Sequence, residues 1–287
     1  MTETQYGHLI KTLSYRKGFM GKANAKLMTM MHGKDLEGFN LNFIIGVFDE
    51  IGDWAPNRGA HVHPFDEFLF FFGYDPQDLS YLGSDLELAM GKEREKHYFS
   101  VPMVVAVPKD LPHCPLLTKK VYKPFGHFHL ALSPVAGGNH VEQEGITDGN
   151  KYTSLFKTLA IKQGSGAGDA AQYWSVSAGD LAGLPVNVAM GLYNEPGQLS
   201  SEKGTHTHPY DECLIFFGHK TAEPTYLGAE LTIDLGDEHE KHSFNVSTAV
   251  VIPQGTPHSP VVCNRVDDPY RFVRIGLAAE YTRQPAA

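Results

Sequence analysis

Two segments of the sequence carry histidine and glutamate residues in the same order and at the same spacing. Each has the pattern His-x-His-x-x-x-Glu, followed later by a proline-containing turn that ends on another histidine. Residues two apart in an extended strand point the same way, so one strand and its turn present the first three side chains on one face. The candidate metal ligands are His61, His63, Glu67 and His113 in the first segment, and His206, His208, Glu212 and His258 in the second.

These residue types indicate a transition-metal site. Imidazole nitrogen and carboxylate oxygen suit Fe(II), Mn(II), Ni(II), Co(II) and Zn(II), and four protein ligands on an octahedral ion leave two positions for water, oxygen or substrate. The alternative, that these side chains are ordinary core or surface groups, would leave four converging ionisable groups buried at high cost. We therefore predict one divalent ion per segment, although a duplicated protein needs to keep only one working site.

The two segments belong to a tandem repeat that covers nearly the whole chain. With an offset of 145 residues, Gly59–Gly73 aligns without gaps on Gly204–Gly218, and ten of the fifteen positions are identical. Internal repeats of this length indicate duplicated structural units. The sequence predicts an N-terminal domain over residues 1–140 and a C-terminal domain over residues 150–287, joined by a polar, Gly-rich linker.

Each repeat is predicted to be all-β. Its apolar segments are short and are separated by Gly, Pro, Asn and Asp, and no long stretch has a helical period. The run Phe68–Phe72 is apolar on both faces of its strand, which a half-exposed sheet would not require. Its outer face is expected to be covered either by the other domain or by a second subunit, which leaves a homo-oligomer open.

The sequence resembles the cupin superfamily in both halves. The first cupin motif is matched by His61, His63, Glu67 and Gly73 and by their repeats 145 residues later. The second motif, Pro-x-Gly-x-x-His, is intact as Pro253–His258, but the first copy has Asp110 at the glycine position. Aspartate tolerates such backbone conformations better than most residues. The resemblance implies a bicupin, with two tandem double-stranded β-helix (jelly-roll) barrels that each hold a metal ion inside.

Three functions are compatible with this resemblance. The leading expectation is a metal-dependent enzyme that acts on a small hydroxylated, keto or carboxylate substrate, as a dioxygenase with Fe(II) favoured as the metal. The first alternative is a redox-neutral isomerase, decarboxylase or lyase that uses the ion as a Lewis acid. The second is a non-catalytic metal-stabilised binding or storage protein, against which the intact ligands in both copies weigh.

Two further residues are candidate catalytic groups. Phe125, His127 and His129 have the same strand parity, as do their counterparts, which include Arg274. Parity fixes alternation but not direction, so this face points either into the barrel or outward. If it points inward, Arg274 places a guanidinium suited to a carboxylate or enolate beside the second site, whereas His129 lies beside the first. This difference favours the C-terminal site for turnover.

The composition limits the kinds of partner that the protein is expected to bind. The formal net charge of −9 argues against nucleic-acid binding, which requires clustered lysine and arginine. The three cysteines form no CxxC pair and predict no disulfide framework. Neither a signal peptide nor a stretch long enough to span a membrane is recognisable. We expect a cytoplasmic protein with a small-molecule substrate and no membrane partner.

Overall fold

The computed structural model describes residues 4–17, 25–54, 59–164 and 168–285. Strands dominate these ranges, which confirms the predicted all-β class. The described helices are all short 3₁₀ helices, at Gly7–Leu9, Gly33–Asp35, Thr153–Leu155 and Ser200–Glu202. None of the helices in the described ranges is long and apolar enough to cross a membrane.

The chain divides into two compact units whose residues differ from the predicted ranges 1–140 and 150–287. The N-terminal unit comprises Tyr15–Leu159 and Asp180–Leu184, and the C-terminal unit comprises Met1–Ser14, Ala160–Gly179 and Pro185–Ala287. The first residues join the C-terminal unit because the strand Ile10–Thr12 pairs antiparallel with residues 248–250. Similarly, Phe156–Thr158 pairs with residues 103–105 of the N-terminal unit.

The N-terminal unit contains two antiparallel sheets in the part of the chain that the structure describes. Across its seven-stranded sheet the strands are Phe156–Thr158, Met103–Val107, Glu67–Gly73, Phe125–Ala131, Asn42–Phe48, Ala25–Met31 and Tyr15–Arg16. The six-stranded sheet has Asn139–His140, His61–Val62, His113–Val121, Ser84–Met90 and Glu95–Phe99, with Gly52–Asp53 paired to His113–Val121.

The C-terminal unit repeats this arrangement over its described residues. Its seven-stranded sheet has Ile10–Thr12, Thr248–Ile252, Glu212–Gly218, Tyr270–Gly276, Asn187–Tyr193, Gln172–Val176 and Lys162–Gln163. Its six-stranded sheet has Glu240–Val246, Tyr226–Leu235, His258–Val266, His206–Thr207 and Gln284–Pro285, with Gly197–Gln198 paired to His258–Val266.

The core of the N-terminal unit lies between its two sheets. Ile44, Leu69 and Phe71 from the seven-stranded sheet form one buried cluster with Leu86 and Leu88 from the other sheet. Alternating residues therefore face inward, as the period of a strand requires. Each such side chain stabilises the fold by roughly 1.5–3 kcal/mol relative to exposure. This packing fixes which face of each strand can reach the interior.

Both faces of the Phe68–Phe72 strand are buried, as its composition indicates. Phe68, Phe70 and Phe72 point away from the core cluster, and each is 0% exposed. The ring of Phe70 stacks on Phe128 with centroids 5.5 Å apart, and Phe128 contacts Phe43 at 6.1 Å. The burial occurs within this single chain, so it requires no second subunit.

Candidate metal centres

Strand pairing and one tight turn assemble the N-terminal ligands. His113 pairs directly with His61 across the six-stranded sheet, which brings their side chains together. Asp110, in the turn before His113, donates its backbone N–H to the carbonyl of His63 at 2.8 Å. Its φ of +61° corresponds to the +78° of Gly255 in the second copy. Aspartate therefore takes the left-handed conformation that the motif usually assigns to glycine.

Glu67 lies on a different sheet from His61, and His63 lies in the connection between the two strands. His61 belongs to the six-stranded sheet, whereas Glu67 begins a strand of the seven-stranded sheet. The single strand and turn expected from the sequence is therefore a crossover from one sheet to the other. The three side chains still converge, because both sheets face the same interior.

The N-terminal histidines present their Nε2 atoms to a common point. The ring centroids lie 4.9 Å apart for His61 and His63, 4.4 Å for His61 and His113, and 5.3 Å for His63 and His113. Each Nδ1–H donates to a backbone carbonyl, which fixes the tautomer because a carbonyl can only accept. These bonds are His61 to Gly59 at 3.3 Å, His113 to Leu111 at 3.1 Å, and His63 to Gly137.

Glu67 stands at the centre of this set and is 1% exposed. Its carboxylate lies 2.6 Å from His113 Nε2 and 3.4 Å from His63 Nε2. His129 donates from Nε2 to Glu67 Oε2 at 2.7 Å. The face that carries His129 therefore points into the barrel, which answers the question that strand parity left open.

Burial and the neighbouring charges set the protonation of these groups. Desolvation, and then the neighbouring histidines, lower the pKa of His61 to about 4. Burial opposes ionisation of Glu67, but His113 and His129 outweigh it and hold the pKa of Glu67 well below its usual value. The site thus combines a neutral imidazole with an ionised carboxylate, the forms in which these side chains bind metal.

The C-terminal set has the same geometry. Its ring centroids are 4.9 Å apart for His206 and His208, 4.4 Å for His206 and His258, and 5.1 Å for His208 and His258. Nδ1–H donates to a carbonyl in each case, from His206 to Gly204 at 2.9 Å, from His208 to Thr282 at 2.5 Å, and from His258 to Thr256 at 3.0 Å. Desolvation lowers the pKa of His206 to about 4.

Glu212 completes the C-terminal set. Its Oε2 lies 3.3 Å from His208 Nε2 and 3.2 Å from His258 Nε2. Burial works against its ionisation, yet contacts with His208 and His258 lower the pKa of Glu212 to about 2. Both Glu212 oxygens and the Nε2 atoms of the three histidines are buried without a hydrogen-bond partner among the described residues. Polar atoms buried in this way are costly unless something binds them, so the donor set fits a divalent cation.

The structure adds Glu202, which the sequence did not reveal. Glu202 is 0% exposed, and its Oε2 accepts a hydrogen bond from Ser259 Oγ at 3.0 Å. Its other oxygen lies 3.7 Å from Arg274 Nη1, and carboxylate atoms of Glu202 and Glu212 lie within 4.8 Å of a nitrogen of His258. Burial, and then Glu212, raise the pKa of Glu202. The repeat gave no signal, because its offset pairs Glu202 with Asn57, which lies outside the described residues.

Arg274 faces inward, which is one of the two orientations that the sequence left open. Its Nε lies 3.9 Å from Glu212 Oε1, and its guanidinium carbon lies 3.6 Å from the centroid of the Tyr281 ring. The guanidinium is thus held between two carboxylates and an aromatic face. Arg274 therefore contacts side chains of its own unit and also lies beside the candidate metal ligands.

Solved structures with the same architecture were found by comparison. A structure of oxalate decarboxylase from Bacillus subtilis at pH 4.6 superposes with a TM-score of 0.63, at 9% identity over 96% of this chain and 78% of that chain. A second structure of this enzyme, from work on its Mn(II) centres, gives 0.62 at 10% identity with the same coverage. The chain has the bicupin fold. Its sequence matches none of the family models and none of the curated proteins with which it was compared.

The two halves of the bicupin fold differ in access to their candidate ligands. In the N-terminal unit a cavity of about 110 Å³ is lined by all four candidates, together with His129 and Ala136. In the C-terminal unit a larger cavity of about 530 Å³ reaches Arg274, but His206, His208, Glu212 and His258 are not among its lining residues. Of these two described cavities, only the N-terminal one is therefore in direct contact with candidate ligands.

A tyrosine explains part of this difference between the halves of the bicupin fold. Tyr281 occupies the repeat position of Ala136, and its ring lies 5.3 Å from that of His208. The side chains of the C-terminal candidates are at most 4% exposed, whereas that of His63 is 13% exposed. Tyr281 therefore covers the C-terminal set where alanine leaves the N-terminal set open.

Replacing Tyr281 by alanine is expected to speed chelator removal of the C-terminal ion by about tenfold, which corresponds to roughly 1.4 kcal/mol in the free energy of opening. Metal release from the wild type should be biphasic, with the N-terminal ion leaving first. The matched control is Ala136→Tyr, which should slow the fast phase. A chelating indicator would follow both phases, and an unchanged slow phase in Tyr281→Ala would contradict the role given to this ring.

Proposed function

We propose that the protein is a metal-dependent enzyme that converts a small carboxylate substrate at the N-terminal centre by redox-neutral cleavage, most simply decarboxylation. The observation that carries this proposal is the cavity whose wall contains His61, His63, Glu67 and His113 together. A substrate in this cavity would lie against the metal ligands. The ligand roles of these four residues, and of their four counterparts, are part of the proposal.

The geometry supports the ligand assignment. Backbone carbonyls hold each Nδ1–H, so each Nε2 is directed at the common point. A divalent ion held there would supply Lewis acidity, which stabilises negative charge that develops on the substrate. The chain itself positions the carboxylate of Glu67 through His129, and Ile44, Leu69 and Leu116 provide apolar walls that limit access of water.

The size of the N-terminal cavity supports a small substrate. Its 110 Å³ corresponds to the volume of about four water molecules in the liquid, at roughly 30 Å³ each. A molecule of a few heavy atoms fits this volume without displacing side chains. In decarboxylation, the bond between the carboxylate carbon and its neighbour breaks, carbon dioxide leaves, and the remaining electron pair takes up a proton.

The similar structures favour this reaction over the dioxygenase expected from the sequence. They are oxalate decarboxylases, and one of them was solved in work on the Mn(II) centres of that enzyme. We therefore propose Mn(II) in place of Fe(II), and the redox-neutral alternative in place of oxygenative cleavage. Because the identities are 9–10%, this likeness establishes the fold, whereas the chemistry depends on the site and on its test.

The geometry also supports the opposite choice of centre from the one that the sequence favours. Arg274 suggested turnover in the C-terminal half, but the described wall of the cavity that Arg274 lines contains none of the C-terminal candidate ligands. His129, the other candidate catalytic residue, is bonded to Glu67. We propose that His129 positions Glu67 and that turnover occurs in the N-terminal cavity.

The proposal is tested with protein loaded with Mn(II) and a panel of short 2-oxo acids and dicarboxylates that includes oxalate. Release of carbon dioxide without net oxygen consumption is the expected result. Oxygen uptake equal to product formed would restore the dioxygenase interpretation. No turnover of any panel member with Mn(II), Fe(II), Ni(II), Co(II) or Zn(II) would favour the binding or storage alternative.

His129→Leu is expected to lower kcat by about tenfold or more, because it removes the donor that orients Glu67 and leaves this carboxylate less constrained. The affinity of the N-terminal centre for Mn(II) should fall as well, which a positioning role requires. His129→Gln keeps an N–H donor on a side chain of similar reach and should recover part of both losses. Titration calorimetry with Mn(II) and steady-state kinetics would measure them, and an unaltered Mn(II) affinity in His129→Leu would contradict the role.

A further inference from the structure

The larger cavity, in the C-terminal unit, is lined by two side chains that are smaller than their N-terminal counterparts. In the N-terminal unit Met30, Ile44 and His129 stand side by side across three strands, and both apolar residues pack into the core. The matching row in the C-terminal unit is Ser175, Ala189 and Arg274. Serine and alanine leave open space that methionine and isoleucine fill, and both of them line the cavity of about 530 Å³.

This volume lies in the range of about 300–1,000 Å³ that is typical of sites for drug-sized ligands. Tyr173, Tyr193 and Phe272 supply aromatic walls, and Ser201 and Arg274 also line the cavity. Tyr173 and Ser175 are exposed, so the cavity opens to solvent at this end. Aromatic walls favour a planar ring, which they can contact edge to face or by offset stacking.

The charges around Arg274 favour an acidic ligand at the end of the cavity that this residue lines. Arg274 lies 3.7 Å from Glu202 and 3.9 Å from Glu212, both longer than a charge-assisted hydrogen bond. With a divalent ion on the C-terminal ligands, the ion and Arg274 would carry one positive charge more than Glu202 and Glu212 neutralise. Asp169 also lines the cavity and adds a carboxylate to its wall. Uncompensated buried charge is costly, so an anion next to Arg274 is favoured.

We propose that the C-terminal unit binds an aromatic monocarboxylate in this cavity, with the ring between Tyr173 and Phe272 and the carboxylate on Arg274. The site is distinct from the N-terminal centre, because its described wall contains no candidate metal ligand and it takes a larger molecule. Binding here requires no turnover, so the inference goes beyond the proposed function and can be tested separately from it.

The test is calorimetric titration of the Mn(II)-loaded protein with benzoate, with neutral benzamide and with acetate. We expect saturable binding of benzoate and at least about tenfold weaker binding of benzamide, since a hydrogen bond between charged groups contributes roughly 1.5–3 kcal/mol. Acetate lacks the ring and should bind at least tenfold more weakly than benzoate. Absence of saturable benzoate binding, or equal affinities for benzoate and benzamide, would overturn the proposal.

Two variants test the location. Ser175→Met combined with Ala189→Ile restores the N-terminal side chains and should abolish benzoate binding while both ions are retained. Glu202→Gln removes a negative charge beside Arg274 and should tighten benzoate binding. Unchanged benzoate affinity in the double variant would overturn the proposed site, and so would weaker benzoate binding in Glu202→Gln. If the double variant does not fold, as judged by circular dichroism, Ala189→Ile alone serves in its place and should weaken benzoate binding.

Discussion

Glu67→Ala is expected to lower kcat by about 100-fold or more, whereas Glu212→Ala should lower it by less than about tenfold. Glu67 lies in the wall of the N-terminal cavity and contacts His113 at 2.6 Å, so its loss removes both a candidate ligand and the partner of His129. Glu212 is fully buried, and it is not among the described residues that line the C-terminal cavity. Its loss should affect stability more than turnover.

The comparison requires that both variants be folded and supplied with Mn(II) in excess. Steady-state rates with the best substrate of the panel, together with the thermal unfolding midpoint, separate loss of chemistry from loss of structure. Glu67→Gln is a useful control, because it keeps the size of the side chain but carries no charge. Inactivation by Glu212→Ala with a near-normal rate in Glu67→Ala would place turnover in the C-terminal centre.

Protein produced with Mn(II) in excess is expected to contain two ions per chain, because each unit brings three histidine nitrogens within 4.8 Å of one another. The double variant His61→Ala/His63→Ala should contain one ion, and His206→Ala/His208→Ala should also contain one. Elemental analysis of the dialysed proteins gives these numbers directly. Loss of both ions in either double variant would indicate coupled centres, and absence of metal in the wild type would sink the ligand assignment.

Each missing ion should also lower stability. An ion at 100 times its dissociation constant stabilises the folded state by about 2.7 kcal/mol. The C-terminal pair of changes should have the larger effect, because it leaves Glu202 and Glu212 buried next to Arg274 without a divalent ion to balance them. Thermal unfolding at fixed Mn(II) concentration would measure the difference. A larger loss of stability in the N-terminal double variant would contradict this ranking of the two centres.

The sequence alone showed the tandem repeat, predicted the all-β class that the structure confirms, and supplied the eight candidate ligands. A strand has a strict two-residue period, and paired histidines with a nearby glutamate are recognisable by spacing. It also identified the difference between Asp110 and Gly255, and the structure shows how both adopt a left-handed backbone. These features depend on neighbours along the chain, which a sequence displays directly.

Other features depend on contacts between distant parts of the chain. Strand parity placed His129 and Arg274 on equivalent faces of their two strands. It could not predict whether those faces point inward or outward, because alternation has no direction until one face is buried. The strand Ile10–Thr12 joins the C-terminal unit through pairing with residues 248–250, which no local pattern encodes. The predicted ranges 1–140 and 150–287 therefore differ from the compact units.

The contrast between the two centres was decided by tertiary structure alone. Glu202 approaches Arg274 and the C-terminal ligands from a segment that has no counterpart among the described residues of the first repeat. Tyr281 covers one set where Ala136 leaves the other open, and the small residues Ser175 and Ala189 line a large cavity where the first repeat has Met30 and Ile44. The sequence contains each of these substitutions, but their effect depends on which side chains meet in the interior, and only the packed structure determines that.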